Sequence, residues 1–461
     1  MARRARRQST SASREDSPDG ASPAGDLTPG ILISFKPGAM KAGLQQLTSS
    51  AGLKAVAHAA EFDDGAVDFA QTAQAGMIVF DSLGVAVVDA DPDQETALAT
   101  LVAAEDGIVQ EPEPIFFAFG RSPADFATYL RGYKDAVDHL YDKLLGNPSA
   151  GILTPNEATV GQGFQDTAEA TWGLAATRVL STRSSGRGVR VAVLDTGFDL
   201  DHPDFRGRQV TGRSFIAGQD VPDDNGHGTH CIGTACGPRS PVRGRRYGIA
   251  YEAEIFAGKV LSNQGSSLGR STLAGMEWAV RNKCHIVSMS LGGWVSPGQS
   301  HQEAFESVAR TALAQGTLII AAAGNDSRRS QNKICPVANP ANCPSIMAVG
   351  AVDHFLRTAD FSNGSVNSDG RVDISGPGVD VYSSAPEPAA TPQPNAYRQW
   401  PAQYHTISGT SMATPHVAGI AALLRQENPN LSAGGLWRLL VARARTLPQS
   451  AGDIGAGLVQ A

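Results

Sequence analysis

Residues 407–419 read Ile-Ser-Gly-Thr-Ser-Met-Ala-Thr-Pro-His-Val-Ala-Gly, a serine behind a small-residue turn and directly ahead of a helix without a polar face. The spacing predicts a helix over 412–425. Its apolar positions Met412, Val417, Ile420, Ala421, Leu423 and Leu424 run most of the way round, so it must lie inside a core. Gly409, lacking Cβ, permits the tight path that presents Ser411 at the helix start. Unpaired N–H groups there favour negative charge, which suits a serine that must become an alkoxide-like nucleophile. Read alone, a serine before a helix is an ordinary N-cap. A nucleophilic serine also needs a base.

Two upstream runs offer partners. Val191-Ala-Val-Leu-Asp195-Thr-Gly is a short apolar run ending in a carboxylate and a glycine turn, the pattern of a buried parallel strand whose carboxyl end carries function. Asp224-Asn-Gly-His227-Gly-Thr-His230-Cys brings a histidine into a small-residue, helical segment. Asp195-Thr-Gly also matches the aspartic-protease signature. That chemistry needs two carboxylates sharing a proton, and no second Asp-Thr-Gly or Asp-Ser-Gly occurs.

Four separated motifs, Val-Leu-Asp195-Thr-Gly, Gly-His227-Gly-Thr-His, Ala-Ala-Gly-Asn325 and Gly-Thr-Ser411-Met-Ala-Thr-Pro-His, resemble the subtilisin-like serine proteases over roughly residues 170–461. The resemblance implies an α/β catalytic domain, a parallel sheet flanked by helices. It makes Ser411 the nucleophile, His227 the general base and later acid, and Asp195 the group that orients the imidazole. Asn325 becomes the oxyanion donor, together with the Ser411 N–H. His230 and His416 are expected to be structural. The Gly-Thr-His-Cys form is similar to the proteinase K branch, which makes Cys231 a free thiol beside the triad.

By the same resemblance, Ser290, Leu291, Gly292 and Gly293 form one substrate-binding edge, and residues 261–270, with Gly265, form the other. Gly269 stands where many relatives carry a bulky aromatic, which implies an open outer pocket. Ala322, Ala323 and Gly324 would wall the first specificity pocket, sized for a large apolar residue. The chemistry requires no cofactor. Calcium is expected as a structural ion on the Pro344 and Ile346 carbonyls and the Asp373 carboxylate. The loop over 237–246 lacks the acceptors of the family's tight site. A base that must be neutral implies activity that falls as pH drops through about 6.5.

The 461 residues exceed one such domain. Residues 1–29, rich in Ser, Arg, Asp, Pro and Gly, are expected to be a disordered tail. Over 30–120 the order β-α-β-β-α-β suggests a ferredoxin-like α+β unit. It resembles the inhibitory propeptide that precedes secreted subtilisins, so the chain is expected to be a self-processing zymogen with its own N-terminal region as inhibitor. Residues 121–165 read as a linker containing a helix over 123–145, and 166–461 as the peptidase domain. The bond to be cut is expected near 116–121 or within 146–165.

A net charge of −7 gives no basic face for nucleic acid. No apolar run approaches the roughly 20 residues that cross a membrane. The basic start lacks an apolar stretch, so no ordinary secretion signal is read, and a cytoplasmic or non-classically exported monomer acting on polypeptides is expected, with an extracellular location left open by the family resemblance. Of five cysteines, Cys335 and Cys343 are the one pair placed to bridge. The expected activity is broad-specificity endopeptidase, against a dedicated intracellular maturation protease or a permanently inhibited binding protein of the same fold.

Overall fold

The N-terminal runs Met77–Phe80 and Val85–Val88 are apolar at every position, which an antiparallel sheet tolerates only when both faces are covered. The computed structural model describes residues 28–119 except 37, 54–55, 63–65, 73 and 106, then 163–387 and 403–461. Residues 1–27 of the tail expected over 1–29, the helix over 123–145 and most of the 146–165 stretch lie outside the described residues. In the N-terminal part, β1 (Ile31–Phe35), α1 (Met40–Ser50), β2 (Val56–His58), β3 (Met77–Phe80), β4 (Val85–Val88), α2 (Pro92–Ala104) and β5 (Ile108–Pro112) build one sheet with two helices. The strand order is β2-β3-β4-β1-β5. Without the short β2, this is the order of a ferredoxin-like unit, every neighbouring pair antiparallel.

Sequence periodicity sets the two faces. Ile33, Phe35, Met77, Val79, Ala86 and Val88 pack under α1 and α2, while their alternate neighbours Leu32, Ile78, Phe80, Val85 and Val87 join a core shared with the C-terminal domain. α2 begins with a capping box, in which the Asp91 carboxylate accepts from Gln94 N and Gln94 Oε1 accepts from Asp91 N, with Pro92 in the first turn. Two differences from the sequence reading arise here. β2 was not expected, because three half-buried residues give too short a periodic signal. The final extended run splits at Glu113–Pro114: β5 stays in the sheet, while β6 (Ile115–Ala118) leaves it.

The C-terminal domain starts with the short helix α3 (Trp172–Ala176). Its sheet is entirely parallel and comprises β7 (Arg190–Asp195), β8 (Val210–Ser214), β9 (Glu254–Lys259), β11 (Ile286–Met289), β13 (Leu318–Ala322), β14 (Met347–Val352) and β15 (Ile374–Pro377). They lie in the order β15-β14-β13-β11-β7-β9-β8. Alternate residues again serve two faces. Val191, Val193, Ile320 and Val349 meet α4 (His227–Cys236), α7 (Thr410–Glu427) and α8 (Ala433–Arg443) on one side. Ala192, Leu194, Ile319 and Ala348 meet α5 (Gly269–Arg281) and α6 (Glu303–Ala314) on the other. Two short strands, β10 (Ser266–Leu268) and β12 (Leu291–Gly292), stand outside this sheet, and β16 (Val381–Ser384) pairs with β17 (Tyr404–Ile407).

α7 is buried from Thr410 through Leu424, as its all-round apolar sequence demands. It starts two residues before the expected 412, so Ser411 lies within its first turn. Truncating Leu423 to Ala there would cost about 2–5 kcal/mol. No helix among the described residues is long and apolar enough to cross a membrane.

Candidate active site

The chemistry-bearing residues gather at the carboxyl ends of the parallel strands. Asp195 ends β7, His227 opens α4, Asn325 follows β13 by three residues, and Ser411 lies in the first turn of α7. Asp195 Oδ1 lies 2.7 Å from His227 Nδ1 and also accepts the Thr196 N–H at 2.8 Å. Both side chains are essentially without solvent contact, so the carboxylate fixes the ring and leaves Nε2 facing the cleft side. Ser411 Oγ donates to the Ser290 carbonyl at 3.0 Å, and His227 Nε2 has no hydrogen-bond partner among the described residues.

A second carboxylate, missed by sequence reasoning, builds the approach to His227. Buried Asp223 accepts through Oδ1 from Thr196 Oγ1, Asn225 N and Gly226 N, and through Oδ2 from Thr229 N and Oγ1, at 2.7–3.2 Å. Five donors on one carboxylate include the Thr229 N–H in the first turn of α4, while the His227 and Gly228 N–H groups go to Asn225 Oδ1 and Thr196 Oγ1. The Asp-Asp-Asn-Gly run just ahead of a helix was the available signal.

Pro415 has no N–H to close a helical bond to the residue-411 carbonyl. That carbonyl is met instead by Ser290 Oγ at 2.8 Å and by the Cys231 thiol at 3.6 Å. Cys231 Sγ also lies 3.9 Å from His227 Nδ1. Among the described residues, Asp195, His227 and Cys231 are the one acidic, His or Cys trio close enough to share a metal ion. Burial, then Asp195, push the thiol far above its ordinary range, so it is a protonated neighbour rather than a metal-binding thiolate. Burial pulls His230 down to about 3 and His416 down to about 4. Their rings contact the carbonyls of Val381 and His405, and of Met412, respectively.

Asn325 Oδ1 accepts from the Thr410 N–H and Oγ1, each at 2.9 Å. A backbone N–H only donates, so the amide oxygen must face Thr410 and Nδ2 must face the cleft. Nδ2 donates to the carbonyl oxygen of Phe119 at 2.5 Å. A Cβ on Gly409 would collide with that oxygen, which is why the turn before Ser411 takes no larger residue.

Phe119 arrives there because β6 lies antiparallel between β10 and β12, pairing Phe117 with Ser266 on one rim and Ala118 with Leu291 on the other. Ala118 N donates to Gly265 O at 2.9 Å and Phe119 N to Ser290 O at 3.3 Å. The Phe119 ring lies against Gly292, and Gly293 backs the ring of Phe116. Phe116 itself is buried edge-on against Phe305, 5.3 Å between centroids. The opening at Gly269 is taken by Pro114, whose carbonyl accepts from Gly269 N at 2.8 Å. Ala322 and Ala323 are wholly buried, and Gly324 N donates to Thr410 Oγ1 at 3.2 Å.

Beside the cleft, two N-terminal carboxylates sit on helix starts. Glu111 accepts from Glu303 N and Ala304 N at 2.8 and 2.9 Å, at the start of α6. Glu113, buried, accepts from Arg270 N, Nε and Nη2 at the start of α5 and from Gly30 N, while Asp89 holds the other side of the guanidinium.

Away from the cleft, Asp373 Oδ2 accepts Ala348 N at 2.9 Å, two residues past Ile346. Burial pushes this carboxyl up to about 6. A desolvated carboxylate, eased only by one backbone N–H and the charge of Arg371, is the donor type that a hard cation takes, so Asp373 itself fits calcium. Cys335 and Cys343 are not bridged, against expectation. Their thiols turn to different carbonyls, Asp326 and Gln302, and all five cysteines are free.

Residues 186–457, more than half of the chain, match the Subtilase family. The chain is 34% identical over 310 residues to Subtilisin-like protease 2 of Pseudogymnoascus destructans, covering 64% of this chain and 69% of that one. It is 37% identical over 294 residues to Subtilisin Savinase of Lederbergia lenta, 63% of this chain and 96% of that one. It is 36% identical over 249 residues to an intracellular serine protease of Paenibacillus polymyxa, 53% and 68% of the two chains. With its helix-flanked parallel sheet, the chain belongs to the subtilase family and is a subtilisin-like serine endopeptidase acting on polypeptides.

Proposed function

We propose that the chain is a zymogen that cuts itself after Phe119, using Ser411, His227 and Asp195, and then acts as an endopeptidase of broad specificity. The observation that carries this reading is the Phe119 carbonyl hydrogen-bonded to Asn325 Nδ2 while its strand fills both rims of the cleft. A peptide held there has its carbonyl oxygen already on the Asn325 donor, against the Gly409 turn that leads into Ser411, which supports a bond-making step with little reorganisation.

In the proposed reaction, Ser411 Oγ turns from the Ser290 carbonyl toward His227 Nε2, which takes its proton as Oγ bonds to the Phe119 carbonyl carbon. The oxyanion is held by Asn325 Nδ2 and the Ser411 N–H. As the C–N bond breaks, His227 returns the proton to the departing amine of Gly120. Water then repeats the sequence to release the Phe119 carboxylate. The rims bind main chain, which favours breadth, and a Phe ring against Gly292 supports a preference for a large apolar residue before the cut bond.

The test compares intact masses of wild type and Ser411→Ala at neutral pH, with fluorophosphonate labelling of each. Loss of an N-terminal fragment and labelling of wild type alone support the reading. Two unchanged, unlabelled chains, even after limited proteolysis, favour a permanently inhibited binding protein.

Calcium at Asp373 is part of the proposal as a structural ion. Millimolar calcium is expected to raise the melting temperature of wild type but not of Asp373→Asn, and no response in wild type would remove it.

A further inference from the structure

Lys259, the last residue of β9, is the one Lys or Arg among the described residues that is fully buried. Its ammonium donates to Thr196 O and to Asn263 Oδ1 at 2.6 Å, and approaches Pro222 O at 3.5 Å. These acceptors belong to three segments. Thr196 follows Asp195, Pro222 opens the turn that leads into His227, and Asn263 lies just before the rim strand β10. Asn263 extends the tie, donating through Nδ2 to Asp224 Oδ2 at 2.7 Å and accepting from Asn225 Nδ2 at 3.0 Å. The N–H groups of Val260 and Leu261, next in the chain, both bond the Asp195 carbonyl.

The charges matter as much as the ties. Two buried carboxylates, Asp195 and Asp223, lie on the approach to His227, and both would stabilise an imidazolium. A general base must be neutral to work. Groups against His227 are Asp195 from β7 and Cys231 and His230 from its own helix, while the Ser411 hydroxyl on α7 is turned to Ser290. Lys259 in turn faces Asp223, Asp224 and Asp195.

We propose that Lys259 is a positioning residue of the Asp195–His227 pair. It locks the ends of three segments together and sets a positive charge against the buried carboxylates that line the approach to His227. This rests on the triad reading above. Burial draws the ammonium below the ordinary lysine range, and the three aspartates oppose that shift.

The test is the pH profile of kcat/KM toward a chromogenic Ile-Phe-Phe-Ala-Phe anilide, using enzyme purified from expression of the full chain. Replacing the ammonium in Lys259→Met is expected to move the acid limb up by roughly half a pH unit or more. The loss at neutral pH should fall on kcat, with KM nearly unchanged. Lys259→Arg, keeping the charge, should hold the limb near its wild-type position. If Lys259→Met does not fold, Asn263→Asp keeps an acceptor for Nζ but cancels its charge, and the limb should again rise. An acid limb that stays put in whichever variant folds, even with a lower melting temperature, would make Lys259 merely structural. Turnover surviving in Ser411→Ala would instead overturn the triad reading itself.

Discussion

At the cleft, the N-terminal region is held by main-chain hydrogen bonds from β6 and by the Phe119 carbonyl on Asn325. On the flank it is held by charge, with Glu111 and Glu113 on the starts of α6 and α5 and Glu113 buried against Arg270. The first grip uses the machinery that would cut the chain; the second touches none of it. A break after Phe119 leaves every flank contact in place. Cutting and release are therefore separable, and a cut N-terminal domain should remain seated as a product-like inhibitor.

The largest expected effect breaks the first grip alone. Asn325→Ala should slow self-cutting by about 100- to 1000-fold, while the N-terminal domain stays docked. A time course of fragment masses checks this, and wild-type speed would remove Asn325 from the reaction. Glu113→Ala acts on the other side of the comparison. It leaves the Arg270 guanidinium to Asp89 alone and removes a buried partner, a change that costs up to about 3–5 kcal/mol. Cutting should proceed within a few-fold of wild type, but the cut domain should dissociate during gel filtration where the wild-type fragment co-elutes. Co-elution of the Glu113→Ala fragment would place the hold elsewhere.

A smaller effect concerns Glu277 on α5, buried where Ser82 Oγ of the N-terminal region donates to Oε1 at 2.8 Å while Oε2 has no hydrogen-bond partner among the described residues. Burial raises this carboxyl above its ordinary 4.5, with Asp81 adding to the rise. The protonated form is thus favoured in the docked state. Docking is strongest at pH below about 4.5 and weakens as pH rises above it. Glu277→Gln should flatten that slope and lengthen retention of the cut domain at pH 8. An unchanged slope would show that other groups set it.

Both regions were legible in the sequence, but to different depths. Asp195, His227, Asn325 and Ser411 each stand at the end of an apolar strand or the start of a small-residue helix, where periodicity announces a functional edge. Their local signal is strong because the sheet needs uninterrupted apolar runs such as Leu318–Ala322 and the buried helix has no polar face. The roles of Asp223 and Lys259 were not legible, because a carboxylate with five donors and an ammonium with three acceptors look like ordinary charges until the segments converge. β6 was read as the tail of a sheet strand. Phe116, Phe117 and Phe119 have strand-like character wherever they pair, and only the rims at Ser266 and Leu291 decide the partner. The Cys335–Cys343 pairing failed for a related reason. Eight positions of separation along a loop do not tell where each thiol points.

The most direct test of the proposed self-cutting is the N-terminal sequence of the large fragment formed when the full chain is incubated at neutral pH. The expected first residue is Gly120, absent from Ser411→Ala run in parallel. A first residue elsewhere, or the same cut in Ser411→Ala, would contradict the assignment of the Phe119 carbonyl as the reacting centre.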